Sequence, residues 1–532
     1  MHDTSTFYIT TTLPYVNAEP HIGFALEIIE ADAAARFQAL RGRKVVFNTG
    51  TDEHGMKLYQ KAKEKGLETQ AYVDEYAAKF PLLKDALNLS YTNFIRTTNP
   101  NHKAAAQEFW RRCLANGDIY KKQYQVKYCV GCELEKTESE LVDGKCPIHP
   151  TYTLELIDEE NYFFRWSKYQ QALLDLYTKD PEFVQPAFRL KEITNFVAGG
   201  LQDFSISRLK AKMPWGVPVP DDEDHVMYVW FDALVNYIST LGWPHDQANF
   251  SDCWPGEQVC GKDNLRQQSA MWQAMLMSAK LPTSKRIYVN GFITVNGQKM
   301  SKSIGNVIDP MVLVKDYGTD LVRYFLLREI PFGDDGDFSY ERLRERNNAD
   351  LGNTFGNLVN RAIAMSKKYF NGTVPSVVEM GDLPTLETVW AGKDGMTALR
   401  EAVEHGYNWH RYSEALEAIW NGAGDAKRSG LLQANKFIED TQPFKLVKTD
   451  PKAVGAILYS LLEACRWYAW LINPVMPETS KKVFAQLGLD IEQELAKGWD
   501  QALVWGGLTP GAALGEPSPL FPRLSNGGLD SE

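Results

Sequence analysis

Hydrophobic and polar positions at the start of the chain change from a strand pattern to a helix pattern and back. Residues 7–16 form a run of β-branched and aromatic side chains that breaks at Pro14, which predicts a short buried strand. Residues 20–42 carry apolar side chains at helical spacing and end at Gly42, which predicts a helix. Residues 44–50 predict a second strand. The strand–helix–strand order favours a parallel sheet, whose ligands bind beyond the carboxyl ends of its strands.

Three short segments lie where this edge of the sheet is expected, and each contains a polar or aromatic side chain. They are Leu13 to Tyr15, the turn from His21 to Gly23, and the four residues Thr51, Asp52, Glu53 and His54. In the turn, a glycine permits close approach of the backbone, a histidine donates a hydrogen bond, and the N-terminus of the following helix attracts phosphate. Taken alone, such a His-x-Gly segment is more often an ordinary turn.

The rest of the chain alternates between the two patterns on a longer scale. Residues 120–225 interrupt the sheet pattern with a cysteine cluster, an acidic stretch and a proline-rich run, which predicts an inserted module. Strand signals return at 225–234 and 286–295, where we expect the sheet to resume. From Asp309 onward helical patterns predict a helical domain. Residues 510–532 are rich in proline and glycine and predict a flexible tail.

Composition and charge exclude several classes of protein. Of the 532 residues, 44% are hydrophobic and 23% are charged, which excludes collagen-like and wholly disordered chains. The net charge of −11 requires any nucleic-acid partner to be met by local basic patches. The first residues show no basic segment followed by an apolar one, so we expect a cytoplasmic protein. The apolar run 453–472 contains Glu463 and Arg466, which predicts a buried helix and no membrane partner.

Three of the seven cysteines crowd into one segment together with a histidine. Two residues separate Cys129 from Cys132 and Cys146 from His149, and 13 residues lie between the two pairs. This is zinc-ligand spacing, and four ligands leave no open position on the metal. We therefore predict one structural zinc ion rather than a catalytic one. The competing interpretation is a metal-free loop with incidental cysteines.

A second candidate for phosphate chemistry follows the strand pattern at 286–295. The loop GQKMSKS (297–303) places two lysines and two serines within five residues. Ammonium groups can neutralise a polyphosphate while hydroxyl groups fix its oxygens. A solvated surface loop is the ordinary alternative. Together with PHIG (20–23), however, the loop resembles the paired signatures of the class I aminoacyl-tRNA synthetases, and it matches the second signature in all five letters.

Within that class, the sequence resembles the methionyl-tRNA synthetase family. The segments that carry the resemblance are LPYVNAEPHIGF, TGTDEHG, the Cys/His segment, DFSISR, YVWFDALVNY, GKD and GNLVNR. The family implies an α/β fold, with a Rossmann-like parallel-sheet catalytic domain, an inserted zinc-knuckle module and a C-terminal helical-bundle domain. The implied boundaries are 1–115 and 226–308 for the two halves of the catalytic domain, 116–225 for the insert with its knuckle at 129–149, 309–352 for a stem-contact-like linker, 353–509 for the anticodon-binding helices and 510–532 for the tail.

The resemblance implies a ligase that works in two steps. The carboxylate of methionine attacks the α-phosphate of ATP, giving methionyl-adenylate and pyrophosphate, and the 3′ end of an initiator or elongator methionine tRNA then accepts the methionyl group. Such a transfer depends on positioning and charge stabilisation. The implied catalytic residues are His21, Gly23, Lys299 and Lys302, which with Asp263 and Ser301 would also bind ATP. Mg²⁺ would accompany the ATP.

The resemblance also assigns residues to methionine and to the anticodon. Asp52 would pair with the ammonium group of methionine, and an apolar, aromatic pocket would hold the thioether. The implied pocket residues are Leu13, Tyr15, Trp230, Ala233, Tyr237, Gln268 and Trp272. Asn357 and Arg361, on one helix face, would read the anticodon together with Phe444.

Four positions depart from the family pattern. Phe24 replaces the last histidine of the first signature and removes one phosphate donor. Gln267 and Gln268 stand where the family has Phe-His in the pocket wall, although Gln268 can still offer a hydrogen bond. Phe444 replaces a tryptophan and can stack on an anticodon base less extensively.

Other functions stay open. Another class I synthetase would differ in its substrate pocket, although the chain has no room for the long editing insert of the aliphatic-specific enzymes. A nucleotidyltransferase would share PHIG and the lysine loop but would not need the helical domain. A tRNA-binding paralogue impaired in catalysis would account for Phe24 and Gln268, although the intact loop argues against it. The sequence shows no extra C-terminal tRNA-binding module, so we expect a monomer.

Overall fold

The computed structural model describes residues 5–132, 134–136, 140–300, 305–376, 393–424 and 429–525. The chain divides into two compact units. The sheet unit comprises residues 5–31 and 45–291, and the helical unit comprises residues 32–44 and those from 292 onward.

A parallel sheet forms the centre of the sheet unit. Its strands are β1 (Phe7–Thr11), β2 (Val45–Thr51), β3 (Asn93–Arg96), β7 (Val184–Gln185), β11 (Glu257–Gly261) and β12 (Arg286–Asn290). Their order in the sheet is β3-β2-β1-β11-β12-β7, and each neighbouring pair is parallel. β1 therefore lies between β2 and β11, in the register Phe7–Val45 on one side and Ile9–Glu257 on the other.

The predicted strand–helix–strand segment is confirmed. Every side chain of β1 is buried, as its apolar run predicts, and α1 (Ile22–Leu40) connects β1 to the parallel strand β2. Gly42 adopts a φ of 82°, a left-handed conformation that ends the helix. Glycine adopts this conformation at little cost in free energy because it has no Cβ. The carboxyl ends of β1 and β2 consequently lie side by side.

Helices follow or connect these strands along the chain. Those of the sheet unit are the first part of α1, whose residues from 32 onward belong to the helical unit, and α2 (Met56–Glu64), α3 (Thr69–Ala77), α4 (Leu82–Ala86), α5 (Pro100–Ala115), α6 (Gln170–Lys179), α7 (Ala187–Ala198), α8 (Val229–Ala233), α9 (Asn236–Ser239), α10 (Gln247–Cys253) and α11 (Trp272–Ser278), with short helical segments at Trp166–Tyr169, Lys262–Asn264 and Gln267–Met271. One continuous apolar core includes residues of β1, α5, α9, α11 and β12.

An antiparallel sheet interrupts the parallel one and forms the predicted insert. Its strands are β4 (Ile119–Cys129), β5 (Leu134–Lys136), β6 (Glu155–Phe164) and β8 (Phe204–Ser205), in the order β5-β4-β6-β8. β4 and β6 pair continuously from Ile119–Phe164 to Tyr128–Glu155. This long hairpin carries the cysteine cluster at its far end.

The expectation that residues 225–234 rejoin the parallel sheet is wrong. β10 (His225–Met227) pairs antiparallel with β9 (Ser207–Leu209), and the next residues form α8. A short apolar run fits a buried helix as well as a buried strand, so periodicity alone does not separate them. Residues 286–295 supply only β12 to the parallel sheet, while the unpredicted strand β11 lies between β1 and β12.

The helical unit contains a small sheet and many helices. The sheet has the order β14-β13-β15, with β13 (Ile293–Val295), β14 (Gln298–Lys299) and β15 (Gly336–Phe338). The helices are α12 (Pro310–Tyr317), α13 (Thr319–Glu329), α14 (Tyr340–Arg346), α15 (Asn357–Tyr369), α16 (Lys393–Asn408), α17 (Tyr412–Asn421), α18 (Leu431–Thr441), α19 (Pro443–Leu446), α20 (Pro451–Ile472), α21 (Pro477–Gln486), α22 (Ile491–Ala496) and α23 (Gly498–Ala502), and a π-helical segment, Asn347–Gly356, leads into α15.

Two charges lie inside the most apolar helix, α20, and both are neutralised locally. Arg466 Nη2 is 2.5 Å from Glu463 Oε1, and Arg466 Nη1 donates to the Ala502 carbonyl at 2.6 Å. The Glu463 carboxylate also accepts the N–H groups of Gly506 and Gly507, each at 3.0 Å. The pair thus fixes the segment after α23 on the buried helix. Among the described residues, no helix combines the length and the apolar character needed to cross a membrane.

Residues 510–525 pack against other parts of the helical unit, unlike the flexible tail that composition predicts for 510–532. Residues 526–532 lie outside the described residues. The Gly511 N–H donates to the Val374 carbonyl at 2.8 Å, and the Leu514 N–H donates to the Gly372 carbonyl at 2.8 Å. The side chain of Leu514 is buried. Proline and glycine prevent this segment from forming its own helix, but its backbone bonds to a neighbouring segment instead.

Candidate functional site

The carboxyl ends of β1 and β2 bring Tyr15 and Asp52 together. The two residues form an isolated parallel bridge beyond the regular strands. The Asp52 N–H donates to the Pro14 carbonyl at 3.0 Å, and the Val16 N–H donates to the Asp52 carbonyl at 3.2 Å. Asp52 is 6% exposed, and Leu13 is half-buried in the same segment as Tyr15. The acidic residue Asp52 therefore lies on the strand segment next to the one that carries Leu13 and Tyr15.

A second group of predicted residues lies on the helices after β10 and β11. Trp230 and Ala233 are on α8, and Tyr237 is on α9. Trp230 is half-buried and packs against the apolar core that contains Tyr237. Gln268, in the π-helical segment before α11, donates from Nε2 to the Tyr237 hydroxyl at 2.5 Å. The structure thus joins Tyr237 and Gln268 directly.

Contacts with buried residues hold the side chains of Trp272 and Gln268 in place. The ring of Trp272 is fully buried, with its centroid 5.5 Å from the stacked ring of Phe109 and 5.9 Å from that of Tyr237. Gln268 Oε1 accepts a hydrogen bond from Gln258 Nε2 at 3.2 Å. The amide of Gln268 is therefore bonded at both ends, which fixes the Tyr237 hydroxyl without the histidine of the family pattern.

The N-terminus of α1 presents His21 and Gly23. The Gly23 N–H donates to His21 Nδ1 at 3.1 Å, so a neutral ring carries its proton on Nε2. His21 is exposed, and the N–H groups of the first helical turn favour an anion there. Phe24 packs edge-to-face on Phe80, with ring centroids 5.7 Å apart. An apolar contact therefore replaces the second donor of the family signature.

A pair of interacting carboxylates, Glu27 on α1 and Asp263 after β11, lies near the strand ends. Glu27 Oε1 accepts the Thr12 N–H at 2.7 Å and also the Thr12 hydroxyl. Burial raises the pKa of Glu27 to about 8, where the Asp263 charge adds to the rise and the Thr12 hydrogen bonds oppose it. A Cβ on Gly261 would lie 2.6 Å from Asp263 Oδ1, so the lack of a side chain at Gly261 leaves room for the Asp263 carboxylate. Sequence reasoning missed Glu27, whose only signal is an acid on the apolar face of a predicted helix.

The helical unit presents Lys299 after a tight hairpin turn. Asn296 and Gly297 have φ angles of 50° and 74°, the positive values that an Asn-Gly hairpin turn requires. Lys299 ends β14 and is exposed. The predicted phosphate residues Ser301 and Lys302 lie outside the described residues.

The four predicted metal ligands come together in the insert. One ligand atom from each of Cys129, Cys132, Cys146 and His149 lies within 4.8 Å of all the others. Cys132 Sγ is 3.1 Å from His149 Nδ1 and 3.4 Å from Cys146 Sγ. A Cβ on Gly131 would lie 2.6 Å from His149 Cγ, so only glycine leaves room for this imidazole. Three thiols and one imidazole at these separations suit a tetrahedral ion.

The predicted anticodon residues lie on two helices of the helical unit. Asn357 and Arg361 are one turn apart on α15, where residues four positions apart share a face. Asn357 is exposed and Arg361 is half-buried. Phe444 is 44% exposed on α19. α15 and α19 both pack against α20.

Comparisons with known proteins agree with this architecture. Residues 7–153 and 138–363 match the family model described as tRNA synthetases class I (M), and residues 394–531 match the anticodon-binding domain of methionyl tRNA ligase. The chain is 44% identical over 529 residues to the methionine–tRNA ligase of Thermosynechococcus vestitus, covering 97% of each chain. It is 44% identical over 526 residues to that of Thermotoga maritima, covering 97% of this chain and 80% of the relative.

A solved structure is similar over the same length. The Mycobacterium tuberculosis methionyl-tRNA synthetase in complex with methionyl-adenylate superposes with a TM-score of 0.90 at 41% identity, covering 98% of this chain and 100% of the other. The parallel sheet, the edge residues and the first family model define the class as class I tRNA synthetases. Within that class, the chain belongs to the methionine–tRNA ligase family.

Proposed function

We propose that this chain charges methionine tRNA. It activates methionine with ATP to methionyl-adenylate and transfers the methionyl group to the 3′ end of initiator and elongator methionine tRNAs. The observation that carries the proposal is the TM-score of 0.90, over 98% of the chain, to a synthetase structure in complex with methionyl-adenylate.

The test is amino-acid-dependent exchange of pyrophosphate into ATP, with each of the twenty amino acids run separately. We expect a signal with methionine alone. A signal with a different amino acid would keep the class and overturn the substrate. No signal with or without tRNA, in folded protein, would favour the tRNA-binding paralogue.

Asp52 is proposed to bind the ammonium group of methionine. A buried carboxylate beside aromatic rings attracts a cation more strongly than one in water. Tyr15, Trp230 and Tyr237, together with Leu13, Ala233 and Trp272, would form the apolar surface for the thioether. Gln268 would keep the Tyr237 hydroxyl in place through their 2.5 Å hydrogen bond. The arrangement would leave the methionine carboxylate to react.

The nucleotide is proposed to lie at the N-terminus of α1. His21, from Nε2, and the N–H groups near Gly23 would hold the phosphates. A methionine carboxylate oxygen bonds to the α-phosphorus while the bond from that phosphorus to the bridging oxygen breaks, and pyrophosphate leaves with the negative charge. Lys299 and Lys302, with Ser301, would stabilise that charge, and Mg²⁺ would neutralise the triphosphate of bound ATP. Asp263 would accept hydrogen bonds from the ribose.

The cluster in the insert is proposed to hold one structural zinc ion. Cys129, Cys132, Cys146 and His149 supply the four ligands that a closed zinc site uses. The ion would tie the end of the β4–β6 hairpin to the loop that carries His149. Elemental analysis should give one zinc per chain, lost in Cys129→Ala with faster proteolysis of the insert. Native protein without zinc would contradict the proposal.

Asn357, Arg361 and Phe444 are proposed to read the anticodon. An exposed aromatic ring can stack on an unpaired base, and an arginine and an amide can bond to base edges. Arg361→Ala should raise the KM for methionine tRNA about tenfold and leave pyrophosphate exchange unchanged. Lys368→Ala removes another cation from α15 and is the matched control. Equal effects of the two variants would show that Arg361 contributes only positive charge to tRNA binding and does not read the anticodon.

Oligomeric state and compartment stay predictions. We expect a cytoplasmic monomer. Sedimentation velocity with and without tRNA tests the first point, and cell fractionation tests the second.

A further inference from the structure

A chain of buried titratable side chains lies directly behind the residues proposed to bind methionine. His54 Nδ1 is 3.1 Å from Asp232 Oδ2, and His102 Nε2 is 4.0 Å from Asp232 Oδ1. His102 continues the chain to α9, where its Nδ1 lies 2.9 Å from Ser239 Oγ. The side chains of His54, Asp232 and His102 are at most 1% exposed. They are therefore part of the interior and not of the pocket surface.

His54 connects three walls of the proposed pocket. Its carbonyl accepts the hydrogen bond of the Tyr15 hydroxyl at 2.6 Å. It follows Asp52 by two positions, on the segment after β2. Its imidazole faces Asp232, which lies on α8 within the pocket segment 230–233. The segments after β1 and β2 and the helix α8 thus meet at one residue, His54, through its carbonyl on one side and its imidazole on the other.

The charge of Asp232 makes these contacts costly to lose. Burial alone raises the pKa of a carboxyl group, but the facing imidazoles of His54 and His102 hold the pKa of Asp232 below its usual value. An ionised carboxylate in the interior stays close to its partners, because separation would leave an uncompensated buried charge. α9 is tied to the sheet by a different contact, in which Asn48 Nδ2 donates to Asn236 Oδ1 at 3.2 Å.

We propose that His54 and Asp232 are positioning residues for methionine, holding Tyr15, Asp52 and the α8 wall at the spacing that the substrate requires. The inference rests on the proposed function, because it assumes that these three walls bind methionine. The proposed ATP contacts come from α1, from the segment after β11 and from Lys299 with the residues that follow it, and the pair joins none of these. Loss of the pair therefore weakens the binding of methionine selectively.

The test is Asp232→Asn in the full chain, which keeps the shape of the side chain and removes its charge. In pyrophosphate exchange, the KM for methionine should rise about tenfold, or about 1.4 kcal/mol. The kcat and the KM for ATP should stay within about twofold of wild type, because neither is set by the methionine walls. Equilibrium dialysis with labelled methionine should give the same tenfold change in Kd without turnover.

Two further sets of variants separate positioning from general stability. Asp118→Asn is the matched control, because Asp118 is equally buried but accepts hydrogen bonds from Tyr169 and Ser278 instead. It should lower Tm and leave the KM for methionine unchanged. His54→Asn replaces the imidazole with a polar amide of similar reach and should stay within about threefold of wild type, whereas His54→Leu should resemble Asp232→Asn.

The outcomes are distinguishable. Parallel increases in the KM for methionine and for ATP, or equal effects of Asp232→Asn and Asp118→Asn, would overturn the inference and leave the pair a structural role. If Asp232→Asn does not fold, the comparison of His54→Asn with His54→Leu decides alone, and equal methionine KM values would overturn the inference. Absence of methionine-dependent exchange in the wild-type chain would overturn the proposed function itself.

Discussion

Two buried glutamates, one in each unit, show opposite treatments of a buried charge. Glu463 of the helical unit faces Arg466 and accepts backbone N–H groups from residues 506–508. Glu27 of the sheet unit has Thr12 as a hydrogen-bond donor and feels the like charge of Asp263, and its pKa rises to about 8. The first carboxylate is neutralised by the fold, whereas the second is held where a carboxyl group is more stable with its proton.

A ligand is expected near a buried carboxyl group of the Glu27 kind rather than of the Glu463 kind. A buried charge that is fully paired within the protein stabilises one packing arrangement. A buried carboxyl group with few partners inside the protein can instead interact with a bound ligand. Glu27, which lies beside the end of β1, is of the second kind. α20 contains the first kind. The following predictions test that separation.

The largest effect is expected from breaking the pair in α20. Arg466→Leu leaves the Glu463 carboxylate buried without its cation and should destabilise the helical unit by roughly 3–5 kcal/mol. Pyrophosphate exchange per folded molecule should not change. Urea unfolding followed by circular dichroism measures the first quantity, and active-site-normalised exchange measures the second. A selective loss of exchange at full stability would reverse the roles assigned to the two regions.

Asp52→Asn should have the opposite effect, a large loss of activity with little loss of stability. Removal of the charge proposed to bind the methionine ammonium should lower kcat/KM for methionine by roughly 2–4 kcal/mol, or about thirtyfold to a thousandfold. The free energy of unfolding should change by less than about 1 kcal/mol, because no ligand is bound in that measurement. Exchange kinetics and urea unfolding on one preparation provide both numbers. A variant that unfolds readily but keeps its KM would place Asp52 among the structural charges.

The raised pKa of Glu27 gives a smaller effect with a definite sign. The folded chain binds the proton of Glu27 more tightly than the unfolded chain does, so this stabilisation is complete below the usual glutamate pKa and disappears as pH rises toward about 8. Between pH 6 and pH 7, wild type should lose about 1.4 kcal/mol of stability relative to Glu27→Gln, which has no proton to lose. Unfolding curves at several pH values measure it. Parallel pH profiles for the two proteins would show that Glu27 is ionised in the fold.

The smallest effect is expected at the departure from the first signature. Phe24→His restores a phosphate donor near the N-terminus of α1 and should lower the KM for ATP about threefold. The same change removes the ring contact with Phe80 and should cost about 1 kcal/mol of stability. Exchange assays over a range of ATP concentrations, with Tm measured in parallel, test both parts. An increase in the KM for ATP would mean that the packing matters more than the donor.

The sequence predicts most of the residues at the sheet edge, but it does not predict the contacts that join the walls of the proposed methionine pocket. β1, α1 and β2 follow from apolar periodicity, and the Cys/His cluster follows from spacing that the structure reproduces. The helix α8 does not follow, because its apolar run fits strand and helix equally. Glu27 and Asp232 are acids among apolar residues of the sequence, and only tertiary contacts show what faces them.

The segment 511–524 has a consequence for the order of events during synthesis. Its backbone bonds to residues 372–374, just beyond the end of α15, and the Leu524 N–H donates to Asn348 Oδ1 at 2.9 Å, in the segment before that helix. Both ends of the helix that carries Asn357 and Arg361 are thus braced by residues that leave the ribosome much later. A chain stopped before residue 510 would keep the sheet unit and lose this brace. Such a chain should still activate methionine while discriminating poorly among tRNAs.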